Sequence, residues 1–176
     1  MQVTADRVFN VLFLCTHNSA RSVITECVMN RLGKGRFKGY SAGSAPSGGV
    51  RPTALDRLKS LEYDISELRS KSWGDFAVPG AQQMDFIFTV CDSAANETCP
   101  MWPGRPASAH WGLPDPSAAQ GIGVEKRLAF AEMHRLLSRP IGAFVNLPLA
   151  SLDHISLKKR LEEIGEIEGS TSSARA

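Results

Sequence analysis

The chain has 176 residues, 43% of them hydrophobic and 22% charged, which is the composition of an ordinary globular domain with a sizeable core. A net charge of +2 is too small to indicate a protein that binds nucleic acid or a membrane surface. No apolar run approaches the ~20 residues of a membrane span and no convincing secretory signal precedes the first strand, so we expect a cytoplasmic protein.

The stretch from Val8 to Ser22 contains the first predicted strand and the loop that follows it. An apolar run ends at Cys15, a helical pattern begins near Ser22, and the sequence between them is Cys-x5-Arg. A loop that leaves a strand and enters a helix can turn successive backbone N–H groups toward a tetrahedral oxyanion. We predict that the loop binds such an anion through Thr16, His17, Asn18, Ser19, Ala20, Arg21 and Ser22.

Cys15 and Arg21 are the candidate reactive residues of this loop. The planar guanidinium group of Arg21 matches two oxygens of an oxyanion. Positive surroundings favour the thiolate of Cys15 over the thiol, so we predict a depressed pKa and attack on the central atom of the anion. The alternative is a buried structural cysteine followed by a chance arginine. A nucleotide-binding loop is excluded because no Gly-Lys-Ser/Thr sequence follows.

Three further segments have the pattern of strands. Arg36 to Ala42 is predicted as the second strand, and Asp85 to Val90 as the third, which delivers Cys91 at its end. The region from Ala94 to Gly123 holds five of the ten prolines and is predicted to be mainly loop. Within it, Ala107 to Trp111 is a candidate fourth strand.

Apolar residues at helical spacing predict helices between and after these strands. Cys27 faces inward on the first helix and is most simply a small core residue, and Pro52 suits the first turn of a second helix. A long helical region follows Gly123, and we expect Pro140 to kink or interrupt it. Its inward face is expected to comprise Val124, Leu128, Ala131, Leu136 and Leu137. Ser151 or Asp153 is expected to cap a last helix.

The alternation of strands and helices implies a parallel sheet with helices on both faces. We expect residues 1–168 to form one domain and Gly169 to Ala176 to form a disordered tail. Ligands of such sheets bind beyond the carboxyl ends of the strands. Cys15 and Cys91 both lie at that edge, so they can act in the same site.

Four segments together are far more specific than the loop alone. They are Cys15-Thr-His-Asn-Ser-Ala-Arg-Ser22, Tyr40-Ser-Ala-Gly43, Val90-Cys-Asp-Ser-Ala-Ala-Asn-Glu-Thr-Cys-Pro100 and His110-Trp-Gly-Leu-Pro-Asp-Pro116. With them the chain resembles the arsenate reductases of the low-molecular-weight tyrosine phosphatase superfamily over nearly its whole length before the tail. The resemblance implies a flavodoxin-like α/β fold with a four-stranded parallel sheet.

The resemblance also implies that Cys15 is the nucleophile, Arg21 the oxyanion clamp and Asp115 the general acid. Attack of a thiolate on arsenate expels hydroxide, which leaves poorly unless a nearby carboxylic acid protonates it. Asp115 stands between Pro114 and Pro116, in a loop stiff enough to hold it beside the anion. Without the resemblance, a turn-forming Asp-Pro is the simpler interpretation.

Cys91 and Cys99 are the predicted members of a disulfide relay. Cys91 is expected to attack Cys15, release arsenite and form a Cys15–Cys91 disulfide. Cys99 is then expected to attack Cys91, which frees Cys15 and leaves a Cys91–Cys99 disulfide. Relatives usually separate this pair by six residues, whereas seven lie here, and Ala20 stands where many thioredoxin-coupled members carry a cysteine. We expect no bound cofactor. The external thiol reductant and transient partner is thioredoxin or glutaredoxin with glutathione, and the sequence does not decide between them.

A potassium site of some relatives has an altered counterpart in this chain. Those relatives hold the ion with residues that match Asn18, Glu26 and Ser41, and with an aspartate where this chain has Lys71. The ammonium group of a lysine can replace the ion. The resemblance therefore implies no metal here.

Two histidines near the predicted site have no assigned role. His17 lies in the oxyanion loop and His110 near Asp115, where each is a candidate for a supporting role. Cys91, Cys99 and His110 could in principle ligate zinc, but no paired Cys-x2-Cys spacing supports a metal site.

Two enzymatic activities are compatible with these residues. The first is thiol-dependent reduction of arsenate to arsenite, and the second is hydrolysis of a phosphotyrosine or a small phosphate ester through a phosphocysteine. A phosphatase does not need Cys91 and Cys99, and phosphotyrosine-directed relatives place tyrosines where this chain has Ser117-Ala-Ala119. We therefore predict an arsenate reductase, for which residual phosphatase activity is chemically reasonable. A non-enzymatic oxyanion-binding module is the third possibility and would leave the thiolate unused.

Overall fold

A computed structural model of the chain describes residues 7–116, 121 and 123–167. The strands are β1 (Phe9–Cys15), β2 (Phe37–Gly43), β3 (Phe86–Thr89) and β4 (Ala107–His110). The helices are α1 (Arg21–Leu32), α2 (Pro52–Ser60), α3 (Asp92–Ala95), α4 (Gly123–Val145) and α5 (His154–Gly165), with short 3-10 turns at Trp73–Phe76 and Leu149–Ser151. The predicted tail lies outside the described residues. Among the described residues, no helix is both long and apolar enough to cross a bilayer.

The four strands form one parallel sheet in the order β2-β1-β3-β4, which confirms the predicted fold class. The order reverses direction at β1, and the two strands that deliver Cys15 and Cys91 are direct neighbours. In the register of β1 and β2, Cys15 lies opposite Gly43. The carboxyl ends of β1, β2 and β3 therefore converge at the switch in strand order, where such sheets bind ligands.

Side chains of the central strands alternate between two apolar layers because successive residues of a strand point to opposite faces. Phe13 and Phe88 belong to the larger layer, which α1, α4 and α5 complete. Leu14 and Ile87 belong to the smaller layer, which the turn Trp73–Phe76 and neighbouring aromatic side chains cover. Strands buried on both faces explain the continuous apolar runs in the sequence.

An aromatic cluster in the larger layer anchors the segment that follows β4. The rings of Phe88 and Trp111 stack with centroids 3.7 Å apart, and Phe144 meets Trp111 edge-on at 5.5 Å. The indole Nε1 of Trp111 donates to the carbonyl oxygen of Leu161 at 3.0 Å. The backbone N–H of Leu113 donates to the carbonyl oxygen of Val90 at 3.0 Å, so the chain leading to Asp115 is tied to the end of β3.

The long helix α4 departs from expectation in two ways. Val124 and Leu128, predicted to face inward, are 50% and 64% exposed, because burial along α4 begins only at Phe130. A 23-residue helix is about 35 Å long, whereas a seven-residue strand spans only about 23 Å, so its first turns extend past the sheet. Pro140 does not interrupt the helix. It is buried, and packing against the core stabilises the turn that lacks its N–H donor.

Two shorter elements also refine the sequence prediction. The start of the loop region contains a single helical turn, α3, which begins directly after Cys91. Asp153, one of the two candidate caps, accepts a hydrogen bond from the backbone N–H of Ser156 at 2.7 Å and caps α5. Ser151 lies instead in the preceding 3-10 turn.

Candidate active site

The loop after β1 is held in place by hydrogen bonds that its carbonyl groups accept from the segment after β2. Backbone N–H groups between Ser44 and Arg51 donate to the carbonyl oxygens of Cys15, Thr16, His17 and Ser19 over 2.8 to 3.3 Å. Carbonyl groups that are bonded from outside allow the amides of the same loop to face the inner side, beside the start of α1. This is the arrangement that binds a tetrahedral oxyanion.

Gly43 allows this loop to lie close to β2. A Cβ atom at Gly43 would overlap the carbonyl oxygen of Thr16 and lie 3.0 Å from the backbone nitrogen of Asn18. The sequence showed Gly43 only as the end of a strand and part of a family motif. Its pairing with Cys15 in the sheet register is the feature that makes any side chain at this position collide with the loop.

Asn18 shapes the middle of the loop from a fully buried position. Its backbone has a positive φ of 48°, a conformation that asparagine tolerates better than most residues. The side-chain amide donates to Ser22 Oγ at 2.9 Å and accepts from the backbone N–H of Lys71 at 2.7 Å. Asn18 thus connects the loop, the first turn of α1 and the segment before Trp73–Phe76.

Lys71 lies where the resemblance to potassium-binding relatives placed it. Its ammonium nitrogen is 3.6 Å from Glu26 Oε2 and donates to the carbonyl oxygen of Arg69 at 3.2 Å. Glu26 also accepts a hydrogen bond of 2.5 Å from Ser41 Oγ. Burial raises the pKa of Glu26, and the charge of Lys71 opposes that rise. The described residues contain no cluster of three or more His, Cys, Asp or Glu side chains suited to a metal.

Arg21 and Asp115 meet at the mouth of the loop. Arg21 donates from one terminal nitrogen to the carbonyl oxygen of Leu113 at 3.2 Å, and its other terminal nitrogen is 3.6 Å from Asp115 Oδ2. The Arg21 side chain is 16% exposed and that of Asp115 43%. A guanidinium beside the loop amides and a carboxyl group at the entrance are the groups needed to bind an oxyanion and protonate its leaving oxygen.

Cys15 and Cys91 are both buried, and they lie close together at the ends of the neighbouring strands β1 and β3. Interaction with Cys15 lowers the pKa of Cys91, and the backbone N–H of Ala94 contributes in the same direction. Interaction with Cys91, together with burial, raises the pKa of Cys15, although Arg21 and the amide of Thr16 oppose the rise. The predicted depression of the Cys15 pKa is therefore wrong for this arrangement, because the neighbouring thiol and burial outweigh the charge of Arg21.

Cys91 also caps the short helix α3. Its sulfur accepts from the backbone N–H of Ala94 at 3.4 Å and lies 3.7 Å from Thr16 Oγ1. Thr16 in turn donates to Glu97 Oε1 at 3.3 Å, so the segment that carries Cys99 rests against the loop. Cys99 itself is exposed, but partial desolvation of its thiol and the nearby Glu97 carboxylate raise its pKa.

The remaining predicted residues occupy different depths. Ala20 and Ser22 are buried, Ser19 is half-buried and His17 is exposed. Cys27 is 6% exposed within the larger apolar layer, and burial raises the pKa of its thiol to about 12. Cys27 is thus a core residue, as predicted.

Sequence comparison places this site in a known family. The model of the family described as "Low molecular weight phosphotyrosine protein phosphatase" matches residues 10–153. An arsenate reductase of Bacillus subtilis is 36% identical over 134 residues, which are 76% of this chain and 93% of the relative. An arsenate reductase of Halalkalibacterium halodurans is 33% identical over the same length and coverage.

Comparison with solved structures gives a consistent result. An arsenate reductase of Archaeoglobus fulgidus aligns with a TM-score of 0.56 at 26% identity, over 75% of this chain and 98% of that one. A thioredoxin-dependent arsenate reductase of Corynebacterium glutamicum aligns with a TM-score of 0.55 at 25% identity, over 76% of this chain and 60% of that one.

Proposed function

This chain belongs to the low molecular weight phosphotyrosine protein phosphatase family, with relatives named arsenate reductases, and from that premise we propose that it reduces arsenate to arsenite by a thiol relay. The observation that carries the proposal is the position of Cys91 beside Cys15, with its sulfur 3.7 Å from Thr16 Oγ1 and both thiols within the influence of the Arg21 charge. A second thiol in contact with the nucleophile is what converts attack on an oxyanion into a two-electron reduction.

The first step is attack on arsenate bound against the loop amides and Arg21. Cys91 takes the proton of the neighbouring Cys15, and the Cys15 thiolate forms an S–As bond. Asp115 protonates the departing hydroxide, which leaves as water. Arsenic is still pentavalent at this stage, because only an oxygen ligand has been exchanged for sulfur.

The second step is the reduction itself. Cys91 attacks the sulfur of Cys15, and the electrons of the S–As bond pass to arsenic, which leaves as arsenite with the Cys91 proton on one of its oxygens. A Cys15–Cys91 disulfide remains. Cys99 then attacks Cys91, frees Cys15 as a thiolate and leaves a Cys91–Cys99 disulfide. Since Cys99 is exposed, an external thiol can reach this disulfide.

The reductant is proposed to be thioredoxin, or glutaredoxin with glutathione. The Corynebacterium glutamicum neighbour is described as thioredoxin-dependent, which supports the first. The seven residues between Cys91 and Cys99 give the segment the length to fold back onto Cys91 once Glu97 leaves Thr16. Hydrolysis of small phosphate esters is an expected side activity, because a phosphate group can occupy the same loop and be attacked by the same Cys15 thiolate.

A single-turnover experiment tests the proposal. The reduced protein is mixed with arsenate, alkylated, and mapped by peptide mass spectrometry, with arsenite measured in parallel. We expect a Cys91–Cys99 disulfide in the unaltered protein and a trapped Cys15–Cys91 disulfide in Cys99→Ser. Cys91→Ser is expected to stall at the arsenic adduct, and Cys15→Ser to lose both arsenate reduction and hydrolysis of p-nitrophenyl phosphate.

The matched control is Cys27→Ser, which removes a thiol outside the relay and should leave both disulfides unchanged. Multiple-turnover reduction by the double variant Cys91→Ser, Cys99→Ser, with thioredoxin as the sole reductant, would exclude the relay.

A further inference from the structure

His110 is held at both ring nitrogens by residues next to the relay. Its Nε2 lies 2.8 Å from Asp92 Oδ1, at the first residue of α3, and its Nδ1 lies 2.7 Å from Thr89 Oγ1. Thr89 and His110 are partners in the register of β3 and β4, so the sheet itself sets this geometry. Nothing in the proposed first or second step uses the three residues.

The partners determine which ring nitrogen can accept a proton. A carboxylate only accepts hydrogen bonds, so the nitrogen facing Asp92 carries the hydrogen in the neutral ring. Nδ1 is then the acceptor, and the Thr89 hydroxyl donates to it. Asp92 stabilises the positive charge that would form on the ring, as the carboxylate of a catalytic triad does for its histidine.

Thr89, His110 and Cys99 line the same cavity, which has a volume of about 460 Å³. The cavity lies between the smaller apolar layer of the sheet and the segment around Trp102. When the Cys99 thiol approaches Thr89 across this cavity, the Thr89 oxygen can accept its proton while the Thr89 hydroxyl hydrogen points to His110. A hydroxyl group has acceptor and donor capacity at once, as this bridge requires.

Cys99 needs such an acceptor. A free cysteine has a pKa near ~8.5, and here burial and the Glu97 carboxylate raise the pKa of Cys99 further. The thiol is therefore protonated near neutral pH, whereas only the thiolate attacks a disulfide.

We propose that His110 is the proton acceptor for Cys99 in the second thiol–disulfide exchange, with the Thr89 hydroxyl as the bridge and Asp92 as the residue that holds the ring. The proposal rests on the relay proposed above. The Cys99 proton passes to Thr89 as the Thr89 proton passes to Nδ1 of His110. The Cys99 thiolate attacks the sulfur of Cys91, and Cys15 leaves as a thiolate. No electrons enter or leave the protein in this exchange.

The test follows both disulfides in time. Reduced protein is mixed with arsenate and quenched at intervals by acid and alkylation, and mass spectrometry quantifies Cys15–Cys91 and Cys91–Cys99. In His110→Gln we expect the first disulfide to form at a rate within about 2-fold of the unaltered protein. Its conversion to the second should slow by at least about 10-fold, since general base catalysis contributes ~10² to 10⁴-fold. Thr89→Val should slow the same conversion.

External imidazole separates proton transfer from a structural role. In His110→Ala, added imidazole is expected to accelerate conversion of Cys15–Cys91 to Cys91–Cys99, because the small base can enter the cavity left by the ring. The control is His134→Gln, which alters a half-buried histidine of α4 that contacts Tyr63. This variant should change neither rate. The rate of the first disulfide reports whether each variant is folded.

Conversion at the unaltered rate in His110→Gln would overturn the proposal. Slow conversion that imidazole does not restore would also overturn it, because His110 would then only hold Asp92 and α3 in place. Failure of the unaltered protein to form any disulfide with arsenate would instead reject the reductase function and, with it, this inference.

Discussion

The ammonium nitrogen of Lys71 lies 3.6 Å from the carboxylate of Glu26, and both side chains are largely buried, at 11% and 15% exposed. The backbone of Lys71 also donates to Asn18, which shapes the oxyanion loop. One cation therefore neutralises a buried carboxylate on α1 while its own segment supports the loop.

Replacing Lys71 with methionine should destabilise the protein by about 2 to 4 kcal/mol, because it leaves Glu26 buried without its cation. Urea unfolding in potassium and in sodium at matched ionic strength measures the effect. We expect no difference between the salts for the unaltered protein and a potassium-selective stabilisation of Lys71→Met. Lys59→Met, at an exposed lysine of α2, is the control. A strong stabilisation of the unaltered protein by potassium would contradict the interpretation that the ammonium group of Lys71 takes the place of the ion.

Gly43→Ala should damage the oxyanion loop although it adds only one methyl group. The new Cβ would overlap the Thr16 carbonyl oxygen, so the loop must shift. We expect a loss of about 1 to 3 kcal/mol in unfolding free energy. A displacement near 1 Å should reduce kcat for arsenate by about 10²-fold.

Gly49→Ala is the matched control, because a Cβ there meets no atom within 4 Å. Calorimetric titration with phosphate shows whether binding to the loop is lost in parallel with kcat. Unchanged phosphate affinity and kcat in Gly43→Ala would show that the loop tolerates the methyl group.

Asp115→Asn should slow the first chemical step without weakening oxyanion binding. An amide cannot protonate the departing hydroxide, so the rate of adduct formation should fall by ~10² to 10⁴-fold. Removing a carboxylate 3.6 Å from Arg21 leaves the guanidinium more available to phosphate, so its affinity should be equal or higher. Single-turnover kinetics and phosphate titration give the two readouts. The control is Asp56→Asn on the exposed side of α2. A proportional loss of affinity and rate would assign Asp115 to binding instead.

The proximity of Cys15 and Cys91 predicts how alkylation depends on pH. Because interaction with Cys15 lowers the pKa of Cys91, the Cys91 thiolate should form at a lower pH than that of a free cysteine. Iodoacetamide labelling, mapped by peptide, measures this profile. In Cys15→Ser the neighbouring thiol is gone, so the pKa of Cys91 should rise. In Cys91→Ser the largest cause of the raised Cys15 pKa is gone, so the pKa of Cys15 should fall. Labelling of Cys91 that begins only near pH ~8.5 would contradict the pairing.

The exposed first turns of α4 show where sequence periodicity is a poor guide. Val124 and Leu128 satisfy helical spacing as well as the buried Met133 and Leu137 do. Periodicity identifies the apolar face of a helix but not how far the neighbouring sheet extends along it. The lengths of the strands decide that, and they are a property of the assembled domain.

The amino-acid sequence by itself determined the parallel sheet and placed Cys15 and Cys91 at one edge of it. Local patterns suffice for this, because apolar runs identify buried strands and parallel strands share their carboxyl edge. Only the tertiary structure decided that the two thiols change each other's pKa, why Gly43 has no side chain, and that His110 stands between Asp92 and Thr89. These features depend on distances between residues far apart in the chain, and hydrogen bonds and steric overlap change within a few tenths of an ångström.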